Sequence, residues 1–214
     1  ITNASLLSSI NFLNSSLFSL KLIILKLNSN LISDKISYNA GNFNITTLNL
    51  FIMIIKLKKK IICINEFKLK CSVGKGGIKK KIKEGDKITP KGTYLLGTLY
   101  YRSDRIKQIK SRLNCKIIKR NMGWCDDPRS KDYNREITIN KNYKYSYEKL
   151  FRNDHKYDLL ILIKYNYSKP IKNKGSAIFL HLTKDYKPTN GCISLKQKDF
   201  HVMLNLIGKK SVLK

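Results

Sequence analysis

YDLLILIKY, residues 157 to 165, holds five successive apolar residues between polar flanks. A short unbroken run of this kind is the mark of a buried central strand. After a turn containing Pro170 and Gly175 comes SAIFLHL, which makes a plausible antiparallel partner for it. A β fold built around this pair is the starting expectation.

Working outward, FIMIIKL and KKIICINEF read as paired β segments, and EFKLKCSV continues with partial alternation. TPKGTYLLGTLYY reads as a turn feeding another strand. NMGWCDDPRSKDYNREITI, residues 121 to 139, clusters Asp, Pro and Asn and reads as a loop before a strand; Asp126 and Asp127 alone do not make a metal site. SYEKLFR, 146 to 152, suggests a short helix capped by Ser146. Ser146 and Lys149 also meet an S-x-x-K spacing, for which chance is the better explanation. Near the C-terminus, Ser194 and Gln197 match a capping box. Phe200, Met203, Leu204 and Ile207 then share one helical face, with Gly208 as a stop.

The 214 residues suffice for one domain with a real core. Their net charge of +29 would attract nucleic acid, anionic lipid or an acidic polymer without specificity. Because 36 of the 43 basic residues are lysine, and isoleucine, asparagine and tyrosine abound, an A·T-rich coding bias explains that charge more simply than a selected basic surface. Five cysteines, an odd count, leave at least one thiol free, and no CxxC or Cys/His cluster suggests zinc. Residues 1–52 differ from 53–214: the first 20 have no charge, and the whole segment holds only Lys21, Lys26, Lys35 and Asp34. An export signal, a membrane anchor and a misassigned start (the first methionine is Met53) are its three readings. Two lysines in the apolar stretch would each cost about 2.5–3.5 kcal/mol at a spanning helix centre, and no positive charge precedes it as in a signal peptide.

The chemistry concentrates in SAIFLHLTKDYKPTNGCISL, residues 176 to 195. His181 lies eleven residues before Cys192, a spacing that permits contact without forcing it. If they meet, the imidazole can take the thiol proton and later return it to a leaving amine. Gly191 allows close backbone approach, and the amides of Gly191 and Cys192 would suit a developing oxyanion. The bland alternative is a buried cysteine after a turn. His155 reads as a surface or turn residue and His201 as solvated, off the apolar helix face. Gly74, Gly76 and Gly77 are spaced as in phosphate loops, but no GK[ST] ending follows.

From roughly Cys71 to Ile207 the chain resembles the short bacterial branch of the L,D-transpeptidase (YkuD-like) catalytic domain family. The resemblance rests on VGKGGIKKKIKEGDKITPKGTY, YYRSDR, GWCDDP with a following YN, YEKLFRNDHKYDLLI, YN at 165 to 166, and GSAIFLH followed by PTNGCISL. It implies a mainly β fold, a β-sandwich with short helices and a C-terminal helix, with residues 53–214 as the catalytic domain. It also implies Cys192 as nucleophile and His181 as base, acting on peptidoglycan stem peptides. Attack on the L,D bond of a donor tetrapeptide releases D-alanine, and the amine of an acceptor stem resolves the thioester. No metal or cofactor is needed. The commoner family signature has a histidine before Gly-Cys and an arginine two residues after. Here Asn190 and Ser194 stand at those positions. Arg102 and Arg105 are candidates for holding the donor carboxylate, with a surface ion pair to Asp104 or another acid as the equal alternative. Asn190 is a candidate for loop ordering or substrate contact.

Three other functions stay open at this level. Water in place of the acceptor would make an L,D-carboxypeptidase. The charge and 12 tyrosines would suit a nucleic-acid-binding protein, although the lysines are dispersed and no sequence-specific motif is apparent. A non-catalytic wall-binding module would not need Cys192 and His181. A peptidoglycan substrate implies the periplasm or cell envelope, and membrane association only through the N-terminal segment.

Overall fold

What residues 159–163 meet on their two sides explains why they are apolar throughout. The computed structural model describes residues 52–214. The expectations for the N-terminal segment lie outside the described residues, apart from its last residue. The strands, in chain order, are β1 (Ile54–Lys58), β2 (Ile61–Ile64), β3 (Phe67–Ser72), β4 (Ile78–Lys79), β5 (Thr89–Pro90), β6 (Tyr94–Tyr101) and β7 (Cys115–Ile117). They continue as β8 (Met122–Cys125), β9 (Glu136–Thr138), β10 (Tyr147–Lys149), β11 (Leu159–Ile163), β12 (Phe179–Leu182), β13 (Ile193–Leu195) and β14 (Val212–Leu213). Helix α1 spans Gln197–Leu206.

The order β11-β12-β13-β3-β2-β1-β14-β6 closes on itself because β6 also pairs with β11. β6 meets β14 through Tyr94 and Leu95 and lies beside parallel β7 from Leu99 to Tyr101. The result is an eight-stranded, barrel-like sheet without a free edge between those strands. A separate antiparallel sheet, β10-β8-β9, packs over one outer face of it. The expected mainly β fold with a C-terminal helix is what the chain forms.

Two hydrophobic cores share β11. Leu159, Ile161 and Ile163 belong to the barrel interior together with Leu96, Leu99, Leu180, Ile193, the helix residues Phe200, Met203 and Leu204, and Ile207 just beyond the helix. Leu160 and Leu162 face the other way, into a core formed with Trp124, Leu150, Tyr157, Phe179 and Cys192. Alternate side chains of a strand point to opposite faces, so a strand covered on both must be apolar at every position. The predicted antiparallel pairing with 176–182 is present, Leu160 opposite His181 and Leu162 opposite Phe179.

Three local expectations need correction. Met122–Cys125 is a fully buried strand rather than part of a loop, because Trp124 packs edge-on against Phe179 with ring centroids 5.2 Å apart. Residues 147–149 form β10 instead of a helix, since pairing with Gly123, Trp124 and Cys125 overrides the capping signal. Residues 193–195 form strand β13, parallel to β12 and antiparallel to β3. Ser194 therefore does not cap the helix: its Oγ lies 2.6 Å from Ser72 Oγ, and α1 starts after Lys196 without a side-chain cap. The opposite end is closed by Arg112, whose guanidinium donates to the carbonyls of Asn205, Leu206 and Ile207. That contact places a cation where the helix dipole favours one.

Candidate active site

Cys192 immediately precedes β13, and the register of the parallel β12–β13 pair sets Ser194 beside His181 and Ile193 beside Leu180. Stepping back by two residues keeps the same face, so Cys192 stands level with Phe179 and shares a face with His181. That face is the outer one, beneath the three-stranded sheet, where Phe179 and Cys192 join the second core. His181 and Cys192 are 7% and 9% exposed and line one cleft of about 900 Å³. Asn190 is also on its wall, on the exposed side.

The backbone around the thiol is held from three directions. Gly191 has φ +138°, a conformation that favours glycine, and a β-carbon there would crowd Ile88 O at 3.1 Å. Its carbonyl accepts a 2.8 Å hydrogen bond from Thr89 Oγ1, which in turn accepts one from Gly74 N at 2.8 Å. Gly74 lies against Gly191: an added β-carbon would fall 2.2 Å from Lys87 O and 3.0 Å from Gly191 Cα. The glycines of GKGG thus include a packing contact for the Gly-Cys step. Thr189 Oγ1 donates to Cys192 O and accepts from Gly191 N at 3.2 Å, so the Gly191 amide is engaged within its own loop.

The third support comes from Ala177, whose carbonyl accepts from Cys192 Sγ at 3.2 Å. Ala177 has φ +51°, and its amide donates to Asn134 Oδ1 at 3.1 Å. Asn134 is buried and fully used: Oδ1 also accepts from Trp124 Nε1, while Nδ2 donates to the carbonyls of Tyr165 and Asn166. The preceding Tyr133 bonds Glu84 and receives the Gly175 amide, and Asn166 Nδ2 donates to Gly175 O. Both Tyr-Asn pairs therefore end on the Gly-Ser-Ala segment beneath the thiol. Sequence reading noticed the pairs but not this role.

The thiol and imidazole are both poised neutral. Burial pushes the Cys192 thiol well above its ordinary value, the nearby Glu148 charge adds to that, and Lys81 opposes it. Burial lowers His181 to about 4, with a smaller push in the same direction from Lys156 and Arg152, against the hydrogen bond to Leu182. His181 Nδ1 lies 2.8 Å from the Leu182 carbonyl. A carbonyl only accepts, so Nδ1 carries the proton and Nε2 keeps its lone pair. The ring edge of Tyr157 meets the imidazole with centroids 5.3 Å apart, and the Tyr157 hydroxyl donates to Glu148 Oε1.

Arg102 and Arg105 do not line the cleft. Arg102 makes a two-bond fork with Asp104 at 2.7 and 2.6 Å, donates to Arg152 O and stacks on Phe151. Arg105 bonds Asp158 at 2.8 Å. The arginine on the cleft wall is Arg152, over the Tyr157 ring and paired with Asp154. His155, at φ +61°, bonds Asp158, and His201 is half-buried on α1. All five cysteines are free thiols. Among the described residues no group of three or more His, Cys, Asp or Glu is placed to hold a metal, and no helix is long and apolar enough to cross a membrane.

The fold and site together are a barrel-like β domain with a buried thiol and a neutral imidazole on the wall of one cleft. Residues 53–212 match the family model of the YkuD L,D-transpeptidase catalytic domain. The chain belongs to that family. No curated protein and no solved structure gives a significant match.

Proposed function

We propose that residues 53–214 are a cysteine-dependent L,D-transpeptidase acting on peptidoglycan stem peptides. The observation supporting this most is the shared cleft: His181 on β12 and Cys192 just before the parallel neighbour β13, with the histidine's free nitrogen fixed as Nε2. Because both groups rest neutral, the proton leaves the thiol as sulfur attacks the carbonyl of the donor's L,D bond. His181 accepts that proton as general base and returns it to the departing amine of D-alanine. A thioester on Cys192 remains. The acceptor amine attacks its carbonyl, the carbon–sulfur bond breaks, and the cross-link leaves.

Arg152 is the guanidinium available to the donor carboxylate on this wall, and a peptidoglycan substrate puts the enzyme in the periplasm or cell envelope. The test is intact-protein mass spectrometry after incubation with a disaccharide-tetrapeptide donor, wild type beside Cys192→Ala. An adduct of donor minus D-alanine on wild type alone is expected. No adduct on folded, reduced wild type refutes the assignment for this donor. Adding an acceptor stem then separates cross-linking from the hydrolysis of an L,D-carboxypeptidase.

A further inference from the structure

Glu148 is an odd neighbour for a nucleophilic thiol. It lines the same cleft as Cys192 and His181, and its side chain is 29% exposed, so the carboxylate is reachable from the cleft. Its negative charge opposes formation of the thiolate. Nothing in the acylation half-reaction calls for an anion there. Oε1 accepts from the Tyr157 hydroxyl, and Arg152 Nη1 is 4.0 Å away, too far for a hydrogen bond. Among the described residues Oε2 has no hydrogen-bond donor, although it is not shut off from solvent.

A carboxylate at a thioester has a use in the second half-reaction. The acceptor arrives as an ammonium, which cannot attack, and an anion both attracts it and removes its proton. We propose that Glu148 is the acceptor-side catalytic base, binding the incoming ammonium and deprotonating it so that amine rather than water resolves the thioester. This rests on the acyl-enzyme reading above. One ammonium proton passes to Glu148, and the free amine then forms a bond to the thioester carbonyl. The second proton passes from nitrogen to His181 Nε2. The carbon–sulfur bond breaks, and the leaving sulfur takes that proton from the imidazolium. Glu148 then releases its proton to water.

Burial raises the Glu148 carboxyl above its ordinary value, against the Tyr157 hydrogen bond and the Arg152 charge, with Asp126 and Asp154 adding to the rise. That shift makes it a better proton acceptor near neutrality. Tyr157 holds one oxygen and leaves the other for the ligand, and the same ring abuts His181, which ties the two bases into one wall.

The test uses the isolated acyl-enzyme of wild type and Glu148→Gln, whose amide oxygen can still accept from Tyr157. Decay is followed by intact mass with a disaccharide-tripeptide acceptor and, separately, with buffer alone. In the variant the adduct still forms, no more slowly than in wild type because the charge opposing the thiolate is gone, and decay by acceptor falls about a hundredfold. Decay by water changes little, and raising the pH toward the amine's own pKa restores the acceptor rate. Equal loss of both decays, unchanged decay by acceptor, or no rescue by pH overturns the proposal. Absence of any adduct on wild type instead refutes the acyl-enzyme reading, and the role for Glu148 with it.

Discussion

At Cys192 and His181 the same burial acts on two groups of opposite charge type, and it makes each of them neutral. Desolvation disfavours whichever form is charged, raising a thiol and lowering an imidazole. A resting thiolate–imidazolium pair needs the reverse order, so this site is expected to react through concerted base catalysis. Alkylation of Cys192 by iodoacetamide should therefore climb with pH through the ordinary thiol value of 9.0, without a plateau in the neutral range. A plateau between about pH 6 and 7, near the usual histidine value, would mean that the ion pair forms and that this order is wrong. Arg152 is testable alone. Its Nη1 makes no hydrogen bond among the described residues, while Nε and Nη2 fork onto Asp154. Arg152→Ala should raise the donor KM about 10- to 100-fold, the loss of a charged hydrogen bond, with little change in maximal acylation rate. Arg152→Lys should not restore it, because an ammonium lacks the planar fork. Unchanged KM in both variants would remove Arg152 from donor binding.

Elements as well as single side chains hold the thiol in place, and here the sequence was only partly legible. β6, β11 and the apolar face of α1 could be read because long apolar runs and 3–4 spacing declare themselves. β13 could not: three residues between a Gly-Cys step and a helix carry no period, and the strand exists because β3 and β12 flank it. Met122–Cys125 was hidden by its Asp- and Pro-rich continuation, and residues 147–149 by Ser146, which reads as a helix N-cap. The candidate pair, Cys192 and His181, was readable from Gly-Cys and a distant histidine. The supports at Thr89 and Asn134 were not, since a buried Thr or Asn looks like any loop residue until its partners are known. Thr89→Val leaves Gly74 N and Gly191 O without their partner in a buried site, a loss of about 1–3 kcal/mol in stability. Asn134→Leu strips hydrogen bonds from Trp124, Ala177 and the 165–166 turn. We expect it to melt earlier and, where still folded, to lose acylation rate with the thiol still present by titration. Wild-type acylation in a folded Asn134→Leu protein would show that Ala177 needs no such anchor.

For the whole molecule, charge and burial act in one direction as pH falls. The native His181 stays neutral down to about 4, while in the unfolded chain it titrates near 6.5, so its contribution to stability is present above 6.5 and is lost as pH falls through 4. Burial acts to raise Asp86, but Lys81 and the amides of Ile88, Ile82 and Lys83 override it and hold the carboxyl at about 2. Arg152 holds Asp154 at about 2, less effectively for stability because that pair is partly open to solvent. Their contribution is present above the ordinary 3.8 and is lost as pH falls through 2. Acid also removes the 14 negative charges that temper 43 positive ones, so self-repulsion grows while specific contacts fail. Melting followed by circular dichroism should show a first decline between about pH 6.5 and 4 and a steeper one below, the latter partly reversed by added salt through screening. His181→Gln, folded at pH 7.5, should flatten the first decline and leave the second. A wild-type melting temperature constant down to about pH 4 would mean that His181 is solvated in the native protein, and with it would go the neutral imidazole on which the proposed base catalysis depends.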